Sequence, residues 1–249
     1  MFFKLMNDFV EIKYKDYSIC LNPRIKRENL GIQHLTGFKK DLYSEVFSHF
    51  FKRMAGKHIQ VCDIGSWIGI TSFQWLLQGA THVHAFEPVK NSFDRIVYIG
   101  CPQITAHNLA LSDYEGEAEI HLSSHEVGST IEPLLTPDKF KYLYSKDITE
   151  WVRVTTLDNL KLDIKFDLMK IDAEFSEEKI IKGASNLFQK YTPSVLLIEF
   201  HTKFSETHDN LKNYYKNFYA LDWKDENLTF LNIENSSNCN HYLYSTEPV

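Results

Sequence analysis

Seven polar side chains fall where strands are expected to end: Asp63, Glu87, Asn108, Asp172, Glu174, Glu199 and His201. Carboxylates accept hydrogen bonds from hydroxyls and attract cations, and an imidazole moves protons near neutral pH. Together they suit a site that holds a polyol and a cationic ligand and removes a proton. Each alone is more often a solvated loop residue, so the signal is their joint placement. Open α/β sheets bind ligands beyond the carboxyl ends of their strands, and these seven come from five separate expected strands.

The elements that must position them begin between His58 and Pro88, H-I-Q-V-C-D-I-G-S-W-I-G-I-T-S-F-Q-W-L-L-Q-G-A-T-H-V-H-A-F-E-P. This reads as strand, glycine turn, helix, strand. In a parallel βαβ unit the turn lies at the carboxyl end of the first strand, against the N–H groups that open the helix. Gly65 and Glu87 are 22 positions apart, close to the roughly 20-residue spacing at which an acid accepts the ribose hydroxyls of a nucleoside. The turn is D-x-G-x-x-x-G, from Asp63 through Gly65 and Ser66 to Gly69, rather than the G-x-G-x-x-G of dinucleotide sites. Asp63 beside the ligand repels a pyrophosphate and suits a cationic amine and a sulfonium, the charges of S-adenosylmethionine. Glu87-Pro88 closes the second strand over the ribose. Asn108 and Leu109, at the end of a strand expected over Ile104 to Leu111, are placed near the adenine; turn chemistry or core packing is the other reading of that pair.

Composition bounds the class. At 249 residues, 43% apolar and 24% charged, the chain is long enough for one large α/β domain. A net charge of −6 leaves no basic footprint for nucleic acid. Cys20, Cys62, Cys101 and Cys239 are scattered without a C-x-x-C pair, which fits a reducing, cytoplasmic setting. Met1 to Val10 lacks a signal-peptide run, and no window approaches a membrane span.

Along the chain, Val10 to Leu21 alternates as a β-hairpin, Pro23 to Gly37 is polar and irregular, and Lys39 to Met54 has a helical stripe. Residues 1–56 are thus an extension before a cofactor-binding core over 57–249, all in a single domain. Ser123 to Thr149 reads as a long substrate-facing segment, partly helical around Asp138 to Leu143. Phe166 to Ile171 is a strand interrupted by Lys170, and Ser176 caps a helix running through Leu187. Apolar Ser194 to Ile198 and three short later strands complete a doubly wound, Rossmann-like sheet.

The ordered pieces V-C-D-I-G-S-W-I-G, H-A-F-E-P, N-L-A-L-S-D, V-T-T-L-D, K-I-D-A-E with its helix ending K-G-A, and L-L-I-E-F-H resemble the FkbM-type S-adenosylmethionine-dependent methyltransferases. They span about Gln60 to His201. The resemblance implies a class I methyltransferase sheet of seven strands, with the N-terminal hairpin and helix outside it. It also implies O-methylation of a sugar or sugar nucleotide in a surface-glycan or secondary-metabolite pathway. Two departures stand out. Trp67 falls where the family has Asn, in Gly-Ala-Asn, and Phe175 falls where it has Gly after K-I-D-x-E.

Activating a sugar hydroxyl needs a general base or a divalent metal that lowers its pKa. His201 is the candidate base, with Asp172 and Lys170 beside it. Asp172, Glu174, Glu199 and His201 also form an oxygen-rich set with one imidazole, suited to Mg²⁺, Mn²⁺ or Fe²⁺. The alternative is that Asp172 or Glu174 caps the next helix, Lys170 pairs with a carboxylate and His201 is a turn residue. The expected partner is a small-molecule acceptor, with no nucleic acid and no membrane span; a homo-oligomer is compatible with the sequence. The competing functions are an NAD-dependent oxidoreductase, because Glu87 also suits an NAD ribose, and a non-catalytic scaffold that kept the cofactor fold.

Overall fold

The structure, a computed structural model, describes residues 2–6, 8–52, 57–123, 128–132, 144–200, 205–233 and 239–248. The chain opens with three strands, β1 (Phe2–Met6), β2 (Phe9–Tyr14) and β3 (Tyr17–Leu21), then two helices, α1 (Lys26–Leu35) and α2 (Leu42–Phe51). The expected hairpin is present, with Tyr14 opposite Tyr17, but β1 adds a third strand to it. Helix α1 lies where an irregular stretch was expected. Its buried positions are Glu28, Gly31 and Leu35, a helical spacing carried by one acid, one glycine and one leucine, which gives no apolar stripe. Glu28 is held there by Arg95, whose guanidinium donates to both carboxylate oxygens at 2.5 and 2.8 Å. Helix α2 begins at Leu42 because Asp41 caps it, accepting the Ser44 N–H at 2.9 Å.

The core then runs β4 (Gln60–Ile64), α3 (Ile70–Gln78), β5 (His82–Phe86), α4 (Lys90–Tyr98) and β6 (Ile104–His107). Next come β7 (Ala110–Leu111), β8 (Gly116–Ser123), β9 (Tyr144–Thr155) and β10 (Leu168–Ile171). The remainder is α5 (Glu177–Lys182), α6 (Ser185–Lys190), β11 (Val195–Glu199), α7 (Ser205–Leu211), β12 (Asn217–Lys224), β13 (Asn227–Leu231) and β14 (His241–Ser245).

The central sheet has the order β13-β12-β14-β11-β10-β4-β5-β6. Strands β11, β10, β4, β5 and β6 are parallel, and β14, β12 and β13 continue antiparallel. This is eight strands rather than the expected seven. The extra edge strand, β13, follows β12 through a two-residue turn, Asp225-Glu226, with φ of 50° and 60°, the left-handed pair a tight hairpin needs. The predicted strand over Ile104 to Leu111 divides, since β7 leaves for a separate sheet of order β7-β9-β8. The expected helix around Asp138 to Leu143 and most of the long segment before it lie outside the described residues.

Successive strand residues feed opposite layers, as the two-residue period requires. Val61, Val83, Leu168 and Leu197 pack with Phe47 of α2 and Phe73 and Trp75 of α3. Cys62, Phe86, Met169 and Leu196 pack with Ile180, Leu187 and Phe188 of α5 and α6. Chain order runs outward from β4 to β6 and resumes at β10 on the other side of β4, so β4 and β10 form the switch point of the sheet.

Candidate functional site

The glycine turn leaves β4 with its amides already committed. Gly65 N–H and Ser66 N–H both donate to Phe86 O, at 3.0 and 3.1 Å, and Ser66 Oγ donates to the same oxygen at 3.2 Å. Trp67 N–H donates to Glu87 Oε2 and Val89 N–H to Glu87 Oε1, both at 2.9 Å. The end of β5 and the turn after β4 are thus one rigid unit. Gly65 has φ +72°, and a Cβ there would sit 1.8 Å from Asp172 O. Only glycine lets the ends of β4 and β10 come this close. Gly69, left-handed at φ 83°, is the N-cap of α3.

Beyond these strand ends lies a cleft of about 1060 Å³, lined by Gly65, Ser66, Trp67, Glu87, Pro88 and Leu109 at one end and by Tyr43, Lys170, Asp172, Glu174, Phe175, Glu199 and His241 at the other. Burial raises the Glu87 carboxyl to about 8, against its two backbone donors. Glu174 is likewise raised to about 8, by burial and then by its neighbours Asp172 and Glu199.

Lys170 knots the floor together. The residue is 2% exposed, and its ammonium donates to Ile64 O at 3.2 Å and Gly65 O at 2.9 Å. It also lies 3.3 Å from Asp63 Oδ1 and 3.4 Å from Asp172 Oδ2. Burial alone pulls its pKa down, but the two carboxylates outweigh it and the net shift is upward. Lys170 therefore stays charged, and its hydrogen bonds cross-link the sheet.

Two expectations about the cofactor end are corrected by this geometry. Asp63 is wholly buried, taken by Lys170 and by the Ser72 hydroxyl at 2.5 Å, so it does not face the cleft or meet a cationic ligand. Asn108 gives its amide to Glu87 O at 3.0 Å and Pro88 O at 2.8 Å. Its role is the turn chemistry that pulls the chain out of the central sheet, while Leu109 does line the cleft.

At the far end two carboxylates of the proposed metal set, Asp172 and Glu199, have other partners. Asp172 Oδ2 accepts the Tyr43 hydroxyl at 3.1 Å and faces the Lys170 ammonium. Glu199 Oε2 lies 3.4 Å from His241 Nε2. No cluster of three or more acidic, histidine or cysteine side chains fit to hold an ion occurs among the described residues. His201, expected as base or ligand, lies outside the described residues. His241 stands in this part of the site, placed by the register that sets it directly opposite Glu199. The sequence reading had missed it, along with Tyr43, because nothing in chain order pairs β14 with β11.

A model described as the methyltransferase FkbM domain matches residues 55–238. The chain belongs to the FkbM methyltransferase family. As an FkbM-family member it belongs among S-adenosylmethionine-dependent methyltransferases. Its fold matches the crystal structure of methyltransferase FkbM from Methylobacillus flagellatus KT with a TM-score of 0.50 and 15% identity, over 89% of this chain and 59% of that one. It also matches the METTL16 MTase domain, with a TM-score of 0.51 and 12% identity, over 98% of this chain and 87% of that one. No curated protein matches the sequence. These likenesses show the fold: α/β with a central, mostly parallel sheet. No helix among the described residues is long and apolar enough to cross a membrane.

The cleft fits the cofactor that FkbM-family membership implies. It is large enough for a nucleoside and a side chain together. Each Glu87 oxygen, with one backbone donor, keeps a lone pair for a ribose hydroxyl, and Leu109, Leu122 and Ile131 offer an apolar wall for a base. Both departures from the family pattern fall on left-handed backbone. Trp67 has φ +48° and Phe175 φ +77°, conformations that Asn and Gly adopt more readily than aromatic residues. Both aromatic residues line the cleft.

Proposed function

We propose that this chain transfers a methyl group from S-adenosylmethionine to a hydroxyl of a sugar or sugar nucleotide, with His241 as the general base. The carrying observation is the Glu199–His241 pair at 3.4 Å, in the same cleft as the glycine turn and Glu87. The cofactor supplies an electrophilic methyl on a sulfonium; the protein must align the acceptor oxygen with it and take the hydroxyl proton. Burial alone lowers the His241 pKa, but Glu199 and then Asp172 turn the net shift upward, making the ring a stronger base. Glu199 stabilises the imidazolium that forms, the role the carboxylate plays in an acid–histidine pair.

A carbohydrate acceptor is favoured by what surrounds that pair. Asp172, Glu174, Asp222 and Asn240 supply acceptors for neighbouring hydroxyls, and Trp67, Phe175 and Trp223 supply flat apolar faces for the C–H side of a sugar ring. The reading places the work of activation on an imidazole, with Lys170 holding Asp172 in place.

The test is transfer of labelled methyl from S-adenosylmethionine across a panel of sugars, nucleotide sugars and phenols, with melting curves run against S-adenosylhomocysteine and NAD. A raised melting point with S-adenosylhomocysteine alone, and label on a sugar hydroxyl, is the expected result. Label only on a phenol or amine refutes the acceptor class. Stabilisation by NAD alone refutes the cofactor and restores the oxidoreductase reading.

A further inference from the structure

Tyr43 and His241 both lie outside the span matched by the family model, residues 55–238, one on α2 before it and one on β14 after it. Yet their side chains meet, with Tyr43 Oη 3.4 Å from His241 Nε2 and the rings edge to face at 5.8 Å. The same hydroxyl is 3.1 Å from Asp172 Oδ2.

A phenol has one proton to give. A carboxylate has none, so the Tyr43 proton goes to Asp172 Oδ2, an oxygen that also lies 3.4 Å from the Lys170 ammonium. That leaves the Tyr43 oxygen facing His241 Nε2 as an acceptor. Glu199 Oε2, 3.4 Å from the same nitrogen, is an acceptor too. With two acceptors and no donor against it, Nε2 carries the hydrogen of the neutral ring. Nδ1 has no hydrogen-bond partner among the described residues.

We infer that Tyr43 is a positioning residue for the transfer: its hydroxyl ties Asp172 to His241 and, with Glu199, keeps the imidazole hydrogen on Nε2 so that Nδ1 is the nitrogen that takes the acceptor's proton. This deepens the proposed function and rests on it. The N-terminal extension completes the reaction centre as well as covering it. The tyrosine ring packs under the Lys170 ammonium at 5.5 Å, so removing only the hydroxyl leaves the packing in place.

The experiment uses full-length protein with ¹⁵N-labelled histidine, His241 being assigned by its loss in His241→Gln. At about pH 9, where an imidazole even of raised pKa is largely neutral, long-range proton–nitrogen spectra report which nitrogen bears the hydrogen. Wild type is expected to show the Nε2–H form alone, and Tyr43→Phe to shift the balance severalfold toward Nδ1–H. With an acceptor from the panel, Tyr43→Phe is expected to lower kcat about tenfold, the scale of one lost hydrogen bond, with KM little changed. An unchanged melting shift with S-adenosylhomocysteine shows the variant is folded. A neutral His241 carrying its hydrogen on Nδ1 in wild type overturns the inference, and so does a Tyr43→Phe spectrum identical to wild type. If the nitrogen signals are as expected but no sugar is methylated, the functional reading fails and the tautomer assignment survives.

Discussion

Glu199 and His241 stand directly opposite each other on antiparallel β11 and β14, with carboxylate and imidazole 3.4 Å apart. Because Glu199 is among the groups that raise the His241 pKa, the pair has a pH signature. On the proposed function His241 works as base only when unprotonated, so methyl transfer is expected to rise with pH through the His241 pKa and then level. Glu199→Gln removes the charge that favours the imidazolium and moves that rising limb to lower pH, with a lower plateau. His241→Ala is expected to lower kcat about 10²- to 10⁴-fold, the range of general-base catalysis. A Glu199→Gln profile superimposable on wild type would contradict the pairing.

Lys170 offers a test of what holds the floor of the cleft. Lys170→Met leaves Asp63, wholly buried, without the cation that neutralises it, which costs about 3–5 kcal/mol when one partner of a buried pair is removed. Urea unfolding measures this directly. Stability within about 0.5 kcal/mol of wild type, the range of ordinary surface substitutions, rules out the cross-linking role.

Cofactor binding should be linked to protons. On the proposed function a ribose hydroxyl would donate to ionised Glu87, whose carboxyl is raised to about 8 by burial. S-adenosylhomocysteine therefore binds more tightly as pH rises toward 8, by up to about tenfold per unit below it, and releases protons on binding. Calorimetry in two buffers of different ionisation enthalpy reads the proton count, and Glu87→Gln should flatten the dependence. The ligand-free protein responds in the opposite sense. Glu87, Glu174 and Glu177 all have carboxyls raised from 4.5 to about 8, so ionising them costs more in the folded state. Their contribution to stability is complete below 4.5 and is lost as pH rises through 8, which a melting series over that range will show.

Position 175 should invert the usual ranking of small residues. At φ +77° alanine is strained and glycine is not. Phe175→Gly is therefore expected to be more stable than Phe175→Ala by about 1 kcal/mol, although both lose the packing of a ring only 6% exposed. The glycine variant also opens the acceptor end of the cleft, and bulkier acceptors should gain rate on it. Equal stability of the two variants would show that the backbone at 175 is not left-handed.

Two glycines separate crowding from backbone strain. Gly65→Ala puts a methyl 1.8 Å from a backbone oxygen, and a loss on the order of 4 kcal/mol is expected, with binding of S-adenosylhomocysteine abolished. Gly79→Ala has nothing within 4 Å, so it bears only the left-handed penalty of about 1–2 kcal/mol. Similar melting points for the two variants would remove the close approach of β4 and β10 as the reason for Gly65.

What the sequence determined by itself was the part of the protein in which neighbours in space are neighbours in the chain. The strand, turn, helix and strand from Gln60 to Phe86, and the placing of Glu87 at a strand end, follow from apolar period, glycine spacing and the rule that parallel strands present their carboxyl ends on one side. Helix α1 escaped because its buried face is built from Glu28 and Gly31, whose burial depends on Arg95 and Ile70 elsewhere.

The tertiary structure decided which polar groups face the ligand and which face one another. Asp63 looked like a ligand contact and became the buried counter-ion of Lys170, since two charges leaving water need each other more than either needs a solute. Asn108 was drawn to the backbone of Glu87 and Pro88. His241 and Tyr43 enter the site from opposite sides of the family-matched span, brought together by sheet register and by helix packing over residues remote in sequence, and no local pattern of residue types encodes such a meeting.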